Sequence, residues 1–169
     1  SQVTPAPDTA HEESVVAIEF SESVSFASVA SAFSITPVLG GFGGPMTDVP
    51  YFPRLVANGR LLLLVPLAPL EADISYDVIL RDDAVVSDLT GVEMAAPTNR
   101  TVQTFSLAAT PSPTPRIMTT FPGSAATGVS DITEIVVVFD RLIDDGTVDE
   151  DSFAAVSYTH LTLPTTRLV

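Results

Sequence analysis

Side chains able to carry out acid–base or nucleophilic chemistry are few in this chain. His11 and His160 are the two histidines, and neither belongs to a recognisable motif with a serine or cysteine nucleophile. Cysteine is absent, which removes thiol nucleophiles, thiolate metal sites and disulfides. Nucleophilic catalysis and zinc binding both need clustered side chains of these types. The sequence therefore predicts a protein that is not an enzyme, with no catalytic residue and no cofactor.

Acidic side chains are the other candidates, because calcium prefers oxygen ligands. Asp82, Asp83 and Asp88 fall in one short stretch and are the candidate calcium ligands. A second acidic group comprises Asp140, Asp144 and Asp145. The spacing matches no EF-hand loop, and solvated acidic turns are the preferred interpretation of both groups. A glycosidase carboxylate pair is not indicated, since these acids lie in turns and not in a recognisable cleft.

A long connection over residues 38–60 begins with a glycine-rich stretch at 40–45. The stretch has neither the strand–GxGxxG–helix context of a dinucleotide site nor the lysine of a P-loop, so a flexible loop is expected. Aromatic residues on this insertion could stack on a sugar or a partner protein, and the candidate ligand loop comprises Phe42, Tyr51 and Phe52. The preferred alternative is that these rings fold back onto the domain.

The charge balance excludes some partners. The chain has 21 acidic and 7 basic residues, all of the latter arginine, and a net charge of −14. Phosphate binding needs clustered basic residues, so nucleic acid and anionic membranes are not expected partners. The most apolar run, residues 61–65, has the length of a strand and not of a membrane span. No signal peptide is visible, and we expect an internal piece of a larger extracellular or cell-surface protein.

Hydrophobic residues alternate with a period of two, which is typical of half-buried strands. Strands of this kind are predicted at Val16/Ile18/Phe20, over residues 74–80 and at Phe105/Leu107. Residues 61–65 predict a strand that is buried on both faces. Residues 25–33 can make one helical turn, and no longer window has a helical stripe. The sequence therefore predicts an all-β fold.

Three smaller features support a β-sandwich. Leu70 and Tyr76 have the spacing of a tyrosine corner, in which a buried ring bonds to the backbone through its hydroxyl. Residues 88–91 have the composition of a turn, with Asp first and Gly last. The expected core anchors, each contributing roughly 2–3 kcal/mol of burial, are Phe20, Phe33 and Phe105.

The pattern of the first strand recurs after a linker. Prolines, threonines and a serine over 110–115 favour extended polyproline geometry. Val16, Ile18 and Phe20 then reappear 119 positions later, and their counterparts are Ile135, Val137 and Phe139. We therefore expect one domain over 1–109, a linker over 110–115, and the opening of a second copy over 116–155.

Ordered motifs over residues 14–107 carry a family resemblance. They are Val16-x-Ile18-x-Phe20-Ser21-Glu22-x-Val24, Ser28-Val29, Phe33, Pro66-x-x-Pro69-Leu70, Tyr76-x-Val78-x-Leu80, Asp88-x-x-Gly91 and Thr104-Phe105-Ser106. This order resembles the bacterial immunoglobulin-like domain of surface-layer and other large secreted proteins. Residues 115–153 resemble it again, with Pro122 and Gly128-Val129 matching the first strand. The first copy lacks that Pro-x-x-Gly signature, so its first strand is expected to be irregular or missing.

The resemblance implies an all-β, immunoglobulin-like Greek-key sandwich with a truncated second copy. It also implies a structural spacer or stalk that holds functional domains of a secreted or cell-surface bacterial protein apart. The expected partners are neighbouring domains of the same polypeptide. One alternative is an adhesin-type module that binds carbohydrate or protein through the 38–60 insertion. Another is an accessory domain of a secreted enzyme.

The end of the chain departs from this pattern. Residues 156–169 resemble translated sequencing-adapter read-through, so we expect a non-native sequence from about residue 156. The alternative is a divergent strand in which Leu161 and Leu163 alternate with polar residues. The second copy would then hold about three of the roughly seven strands of a sandwich. That number is too small to bury Ile135, Val137 and Phe139 on both sides.

Overall fold

The computed structural model describes residues 3–38, 47–95, 100–110, 113–124, 126–129, 134–149 and 151–153. The strands are β1 Val3–Thr4, β2 Val16–Glu19, β3 Phe33–Val38, β4 Tyr51–Val56, β5 Leu61–Pro66, β6 Ser75–Leu80, β7 Thr101–Ser106, β8 Ile117–Phe121 and β9 Val136–Phe139. The helical elements are α1 Phe26–Val29 and a 3-10 turn at Asp145–Thr147. These strands pair antiparallel, so the prediction of an all-β fold is confirmed.

Two sheets enclose the main core. One has the order β1-β2-β5-β4 and the other the order β3-β6-β7. Leu62 and Leu64 of the first sheet are buried in the same cluster as Ile35 and Val78 of the second. Alternate residues of a strand point to opposite faces, so each sheet contributes every second side chain to this shared core.

The predicted elements around this core are present. Val16 and Ile18 lie on β2, and the 74–80 and 105–107 patterns fall on β6 and β7. The expected anchors Phe20, Phe33 and Phe105 are buried, which confirms their role in the core. The single helical turn is also confirmed, as α1.

The expectation that residues 38–60 form a loop is wrong for part of the segment. Residues 51–56 are strand β4, which pairs with β5 along its whole length. β4 lies at the edge of its sheet, where Pro53 is tolerated because its missing N–H would face outward. The glycine-rich stretch, including Phe42, lies outside the described residues.

Strand β1 is short, and the N-terminal segment that contains it pairs with two different strands. Val3 pairs with Ile18 and Thr4 with Ala17, and prolines that lack a backbone donor follow. Further along, Ala10 forms a parallel bridge with Leu107 on the other sheet. The N-terminal segment therefore contributes to both sheets, which agrees with the irregular strand expected from its proline content.

Strand β5 is buried on both faces, as predicted. Leu62 and Leu64 face the main core. Leu61 faces outward into a second cluster with Ala17 and Ala57, and that cluster is completed by residues from β8 and β9, namely Phe121 and Val138. The β8–β9 pair therefore covers the outer face of the first sheet.

The opposite face of β9 has much less cover. Val138 is buried against the first sheet, whereas Ile135 is 66% exposed. Val137 and Phe139 are half-buried, and the Phe139 ring meets the Phe153 ring at 6.3 Å between centroids. Within the described part of the chain, no helix has the length and apolar character needed to cross a membrane.

Candidate functional site

The carboxylate of Asp88 is engaged by the turn that contains it. It accepts hydrogen bonds from the Thr90 N–H, the Thr90 hydroxyl and the Val92 N–H, each at 2.8 Å. The bond from the Thr90 hydroxyl, followed by that from the Val92 amide, holds the pKa of Asp88 below its usual range. Gly91 has a φ of +88°, as this turn requires. The predicted turn is confirmed.

The other two calcium candidates lie apart from this turn. Asp82 is almost fully exposed, with its Oδ1 3.8 Å from the Arg100 Nε. Asp83 lines a shallow depression beside Arg81 and α1. Among the described residues, no group of three or more His, Cys, Asp or Glu side chains is placed to hold a metal ion. The calcium hypothesis therefore gains no supporting geometry from this region.

The side chains of the second acidic group do not converge on one site either. Asp144 accepts from the Gly146 N–H at 3.1 Å and caps the 3-10 turn. Asp145 lies exposed within that turn. Asp140 instead forms an ion pair with Arg141, with 3.0 Å between Oδ1 and Nε. These side chains therefore have separate local roles.

The aromatic residues proposed for a ligand loop have different environments. Tyr51 donates its hydroxyl to the Phe33 carbonyl at 2.6 Å and packs against the main core. Burial, the dominant effect, raises the pKa of Tyr51. Phe52, the next residue on β4, points to the outer face and is 59% exposed, opposite Val65. Of the described pair, only Phe52 offers an accessible ring, and both belong to a strand and not to a loop.

Tyr76 is placed as a tyrosine corner. Its ring is buried and stacks on Phe105 at 5.5 Å between centroids. Its hydroxyl oxygen accepts from the Glu71 N–H at 2.7 Å. Burial is the main reason why the pKa of Tyr76 is raised. The predicted motif is confirmed, with Glu71 as the backbone partner beside the buried Leu70, and it holds one edge of the sandwich.

Polar contacts that the sequence did not indicate join the first sheet to β9. The Ser14 hydroxyl donates to the Asp140 carbonyl at 2.7 Å, and both residues are buried. The Asp140 carboxylate accepts from the Arg116 N–H and from Arg141. Burial alone would raise the pKa of Asp140, but the hydrogen bonds from Arg141 and Arg116 and the charge of Arg141 bring it below its usual range. We call this group the Asp140 junction.

A second set of contacts lies at the other end of β9. The Glu134 carboxylate accepts from the Ala57 N–H at 2.7 Å. The Arg60 guanidinium carbon lies 5.3 Å from the centre of the Phe121 ring, within the range of a cation–π contact. A cleft of about 450 Å³ lies beside these residues. No sequence motif predicted these contacts. The run at 61–65, which is apolar on both faces of its strand, was the one signal that the outer face of the sheet would be covered.

His11 makes hydrogen bonds with residues of its own turn. His11 contributes its backbone N–H to the Ser14 hydroxyl at 2.7 Å, and its Nδ1 accepts from the Glu13 N–H at 3.4 Å. His160 lies outside the described residues. Among the residues that the structure describes, the Thr4 hydroxyl is the one buried side-chain polar atom without a hydrogen-bond partner.

The most developed set of side-chain contacts is thus the contact between the first sheet and β8–β9. It combines an apolar cluster with hydrogen-bonded polar groups at both ends. Such an arrangement can hold two parts of a polypeptide together. The chain was compared with protein-family models, with curated proteins and with solved structures, and none of these comparisons found a match.

Proposed function

We propose that residues 1–109 form an immunoglobulin-like Greek-key sandwich that acts as a structural spacer in a larger secreted or cell-surface bacterial protein. The strand order supports this proposal, with β1-β2-β5-β4 facing β3-β6-β7. Constant-type immunoglobulin domains have the same division into four and three strands. The N-terminal segment also reaches the second sheet, where Ala10 forms a parallel bridge with Leu107. This topology is the observation that carries the proposal.

The opening strand pair of a second copy is the other half of the proposal. Strand register supports it: Thr4 pairs with Ala17, and Phe121 pairs with Val136. The 119-residue offset makes Val136 the counterpart of Ala17, so the two strand pairs have equivalent registers. A proline follows the first strand in each pair, at Pro5 and Pro122. β8–β9 would then be the β1–β2 of a following module.

A spacer role, without enzymatic activity, fits the contacts of the polar groups. In the part of the chain that the structure describes, the buried polar residues are Ser14, Ser34 and Asp140. Each is hydrogen-bonded within the protein, and Ser34 shares its hydroxyl with Thr36 at 3.3 Å. The Tyr76 hydroxyl is likewise engaged by the backbone of Glu71. These groups stabilise the fold.

A binding module remains the second candidate, and one observation favours it. Phe52 leaves a large aromatic surface exposed on a sheet edge, and exposed rings stack on sugars and on partner proteins. Tyr51 supports this candidate less than expected, because its hydroxyl is bonded to Phe33. Glycan-array or pull-down binding that is lost on Phe52→Ala would establish this candidate, and the matched Val38→Ala change at another exposed apolar position is its control.

The test of the spacer proposal is the independent folding of the first domain. A polypeptide of residues 1–109 should give a β-sheet far-UV circular dichroism spectrum and one cooperative thermal transition. NMR should detect the cross-strand pairing of β2 with β5 and of β3 with β6, which this strand order requires. A disordered or helical spectrum, or the absence of that pairing, would refute the proposed fold and with it the spacer.

A further inference from the structure

The outer face of the first sheet is largely apolar, with Glu19 on β2 and Arg54 on β4 as charged residues at outward positions. An antiparallel sheet with one face in water normally carries polar side chains at its outward positions. Here the outward residues of β5 are Leu61, Leu63 and Val65, with Ala17 beside them on β2 and Val56 on β4. Leu61 and Ala17 are almost fully buried. This face is therefore built to be covered.

The cover consists of the matching face of the second strand pair. Phe121, Val136 and Val138 contact the outer face of the first sheet. Because the registers are equivalent, Val136 is the counterpart of Ala17, Val138 that of Glu19 and Phe121 that of Thr4. Each strand pair thus presents its outward positions to the other, and the contact is face to face.

The polar contacts at each end define the direction of β9. Ser14, just before β2, donates to the carbonyl of Asp140, just after β9. Glu134, just before β9, accepts from Ala57, which follows β4 at the end of the sheet where β2 also ends. β9 therefore runs antiparallel to β2 across the contact. β8 lies over the β1–β2 edge, where a small gap is lined by residues of β1, β2 and β8.

We propose that the outer face of the β1-β2-β5-β4 sheet is a self-complementary interface between modules, and that its occupant is the same face of the following module. The proposal rests on the second copy put forward above. Equivalent strands that lie over each other in opposite directions are related as by a two-fold axis. Such an interface uses one patch on both partners, so it closes on itself. It joins modules in back-to-back pairs and does not propagate along an array.

Part of the face is still open beside β9. Phe52 on β4 remains 59% exposed, opposite Val65 on β5. In the two-fold arrangement the second module's own β5 and β4 continue the sheet beyond β9. They then lie over the corresponding strands of the first module and cover Phe52. The exposed surface around Phe52, which suggested a ligand-binding site, would thus be covered by strands of the neighbouring module.

Two adjacent valines of β9 provide a matched test in the full chain. Val138 is buried in the interface, and Val137 lies on the opposite face of the same strand. Hydrogen–deuterium exchange should show protected amides over 117–121 and 136–139 in the unmodified chain. Val138→Ser should accelerate this exchange about tenfold, as expected for the loss of one buried aliphatic side chain. Val137→Ser carries the same change in strand propensity and should leave the exchange rates within about twofold of the original.

A second variant tests self-complementarity. Val138→Asp should release β8–β9 and free the outer face, so sedimentation velocity should detect a dimer that is absent from the unmodified chain. Adding Leu63→Arg on that face should restore the monomer. A released but monomeric chain would overturn self-complementarity, and unprotected β8–β9 amides in the unmodified chain would overturn the interface. Fast exchange throughout residues 3–110 would instead refute the proposed spacer fold, so the two failures are distinguishable.

Discussion

The β1–β2 and β8–β9 pairs have the same register but very different surroundings. β1–β2 is covered on its inner face by β3-β6-β7 and on its outer face by β8–β9. β8–β9 is covered on its outer face alone, and Ile135 on its inner side is 66% exposed. The contrast shows that a local pattern specifies which residues pair, whereas burial depends on a second sheet to face them.

This difference has an energetic consequence. An isolated two-stranded pair is marginally stable in water. The first pair belongs to a complete core, in which Val16 and Ile18 are buried. The second pair depends on its contact with the first sheet through Phe121 and Val138. Matched changes at equivalent positions should therefore differ in effect.

The largest difference is expected between Ile18→Ala and Val137→Ala. Ile18 is fully enclosed, so the cavity left by its truncation should lower the free energy of unfolding by about 2–5 kcal/mol. Val137 occupies the equivalent position on a half-covered face, and its truncation should change the stability by less than about 0.5 kcal/mol. Urea unfolding monitored by circular dichroism measures both. Equal losses would mean that the inner face of β9 is covered in solution.

A smaller effect, confined to β8–β9, is expected for Asp140→Ala. The change removes the acceptor for the Arg116 N–H and the partner of the Arg141 charge. Hydrogen bonds that involve charged groups contribute about 1.5–3 kcal/mol, and the pairing of β8 with β9 should weaken by that amount, whereas the bond from Ser14 to the Asp140 carbonyl is kept. Hydrogen exchange over residues 136–139 measures the loss, and Asp144→Ala is the control because Asp144 caps an exposed turn. A lower unfolding midpoint for the main core would contradict a role of the Asp140 side chain that is confined to β8–β9.

Acidification should reproduce the Asp140→Ala effect. The charged groups around Asp140 are Arg141, His11 and, facing Arg141, Glu13. The pKa of Asp140 is lowered from its ordinary value of 3.8, so its contribution is fully present above that value and is lost as the pH falls through the lower, folded-state pKa. Protection of β9 should therefore fall below about pH 4 in the unmodified chain. In Asp140→Ala this pH-dependent step should be absent, and its persistence would assign the step to another group.

The smallest effect is expected from calcium. A ligand that binds only the folded state raises the Tm by mass action. The Asp88 carboxylate already accepts hydrogen bonds from Thr90 and Val92, and Asp82 faces Arg100, so the Tm should be the same in millimolar calcium and in EDTA. Differential scanning calorimetry makes the comparison. A rise in Tm that disappears in Asp83→Asn would restore this stretch as a calcium site.

Several features were predictable because they depend on local sequence. The alternation around Tyr76 specified β6, and the spacing from Leu70 specified the corner. The run at 61–65 indicated a strand buried on both faces, which β5 is. β4 was missed because it lies in a proline-containing segment beside a glycine-rich stretch, and only its pairing with β5 stabilises it there.

The contacts between the first sheet and β8–β9 could not be predicted in the same way. Ser14 and Asp140 are 126 positions apart, and neither belongs to a motif. The expectation that Asp140 lies in a solvated acidic turn is wrong, because its side chain is buried and forms an ion pair with Arg141. Tyr51 was a candidate ligand residue, but in the structure its hydroxyl bonds to the Phe33 carbonyl and so holds β4 to the start of β3.

The sequence by itself determined the all-β class, the core positions and the turn at Asp88, because period-two alternation and turn chemistry act over a few residues. Tertiary structure alone decided which apolar face is covered and by what. Leu61 and Leu62 are chemically the same, yet one packs against Phe121 and Val138 and the other against the main core. Burial of the outer face requires residues that are distant in the chain, so no local pattern could specify it.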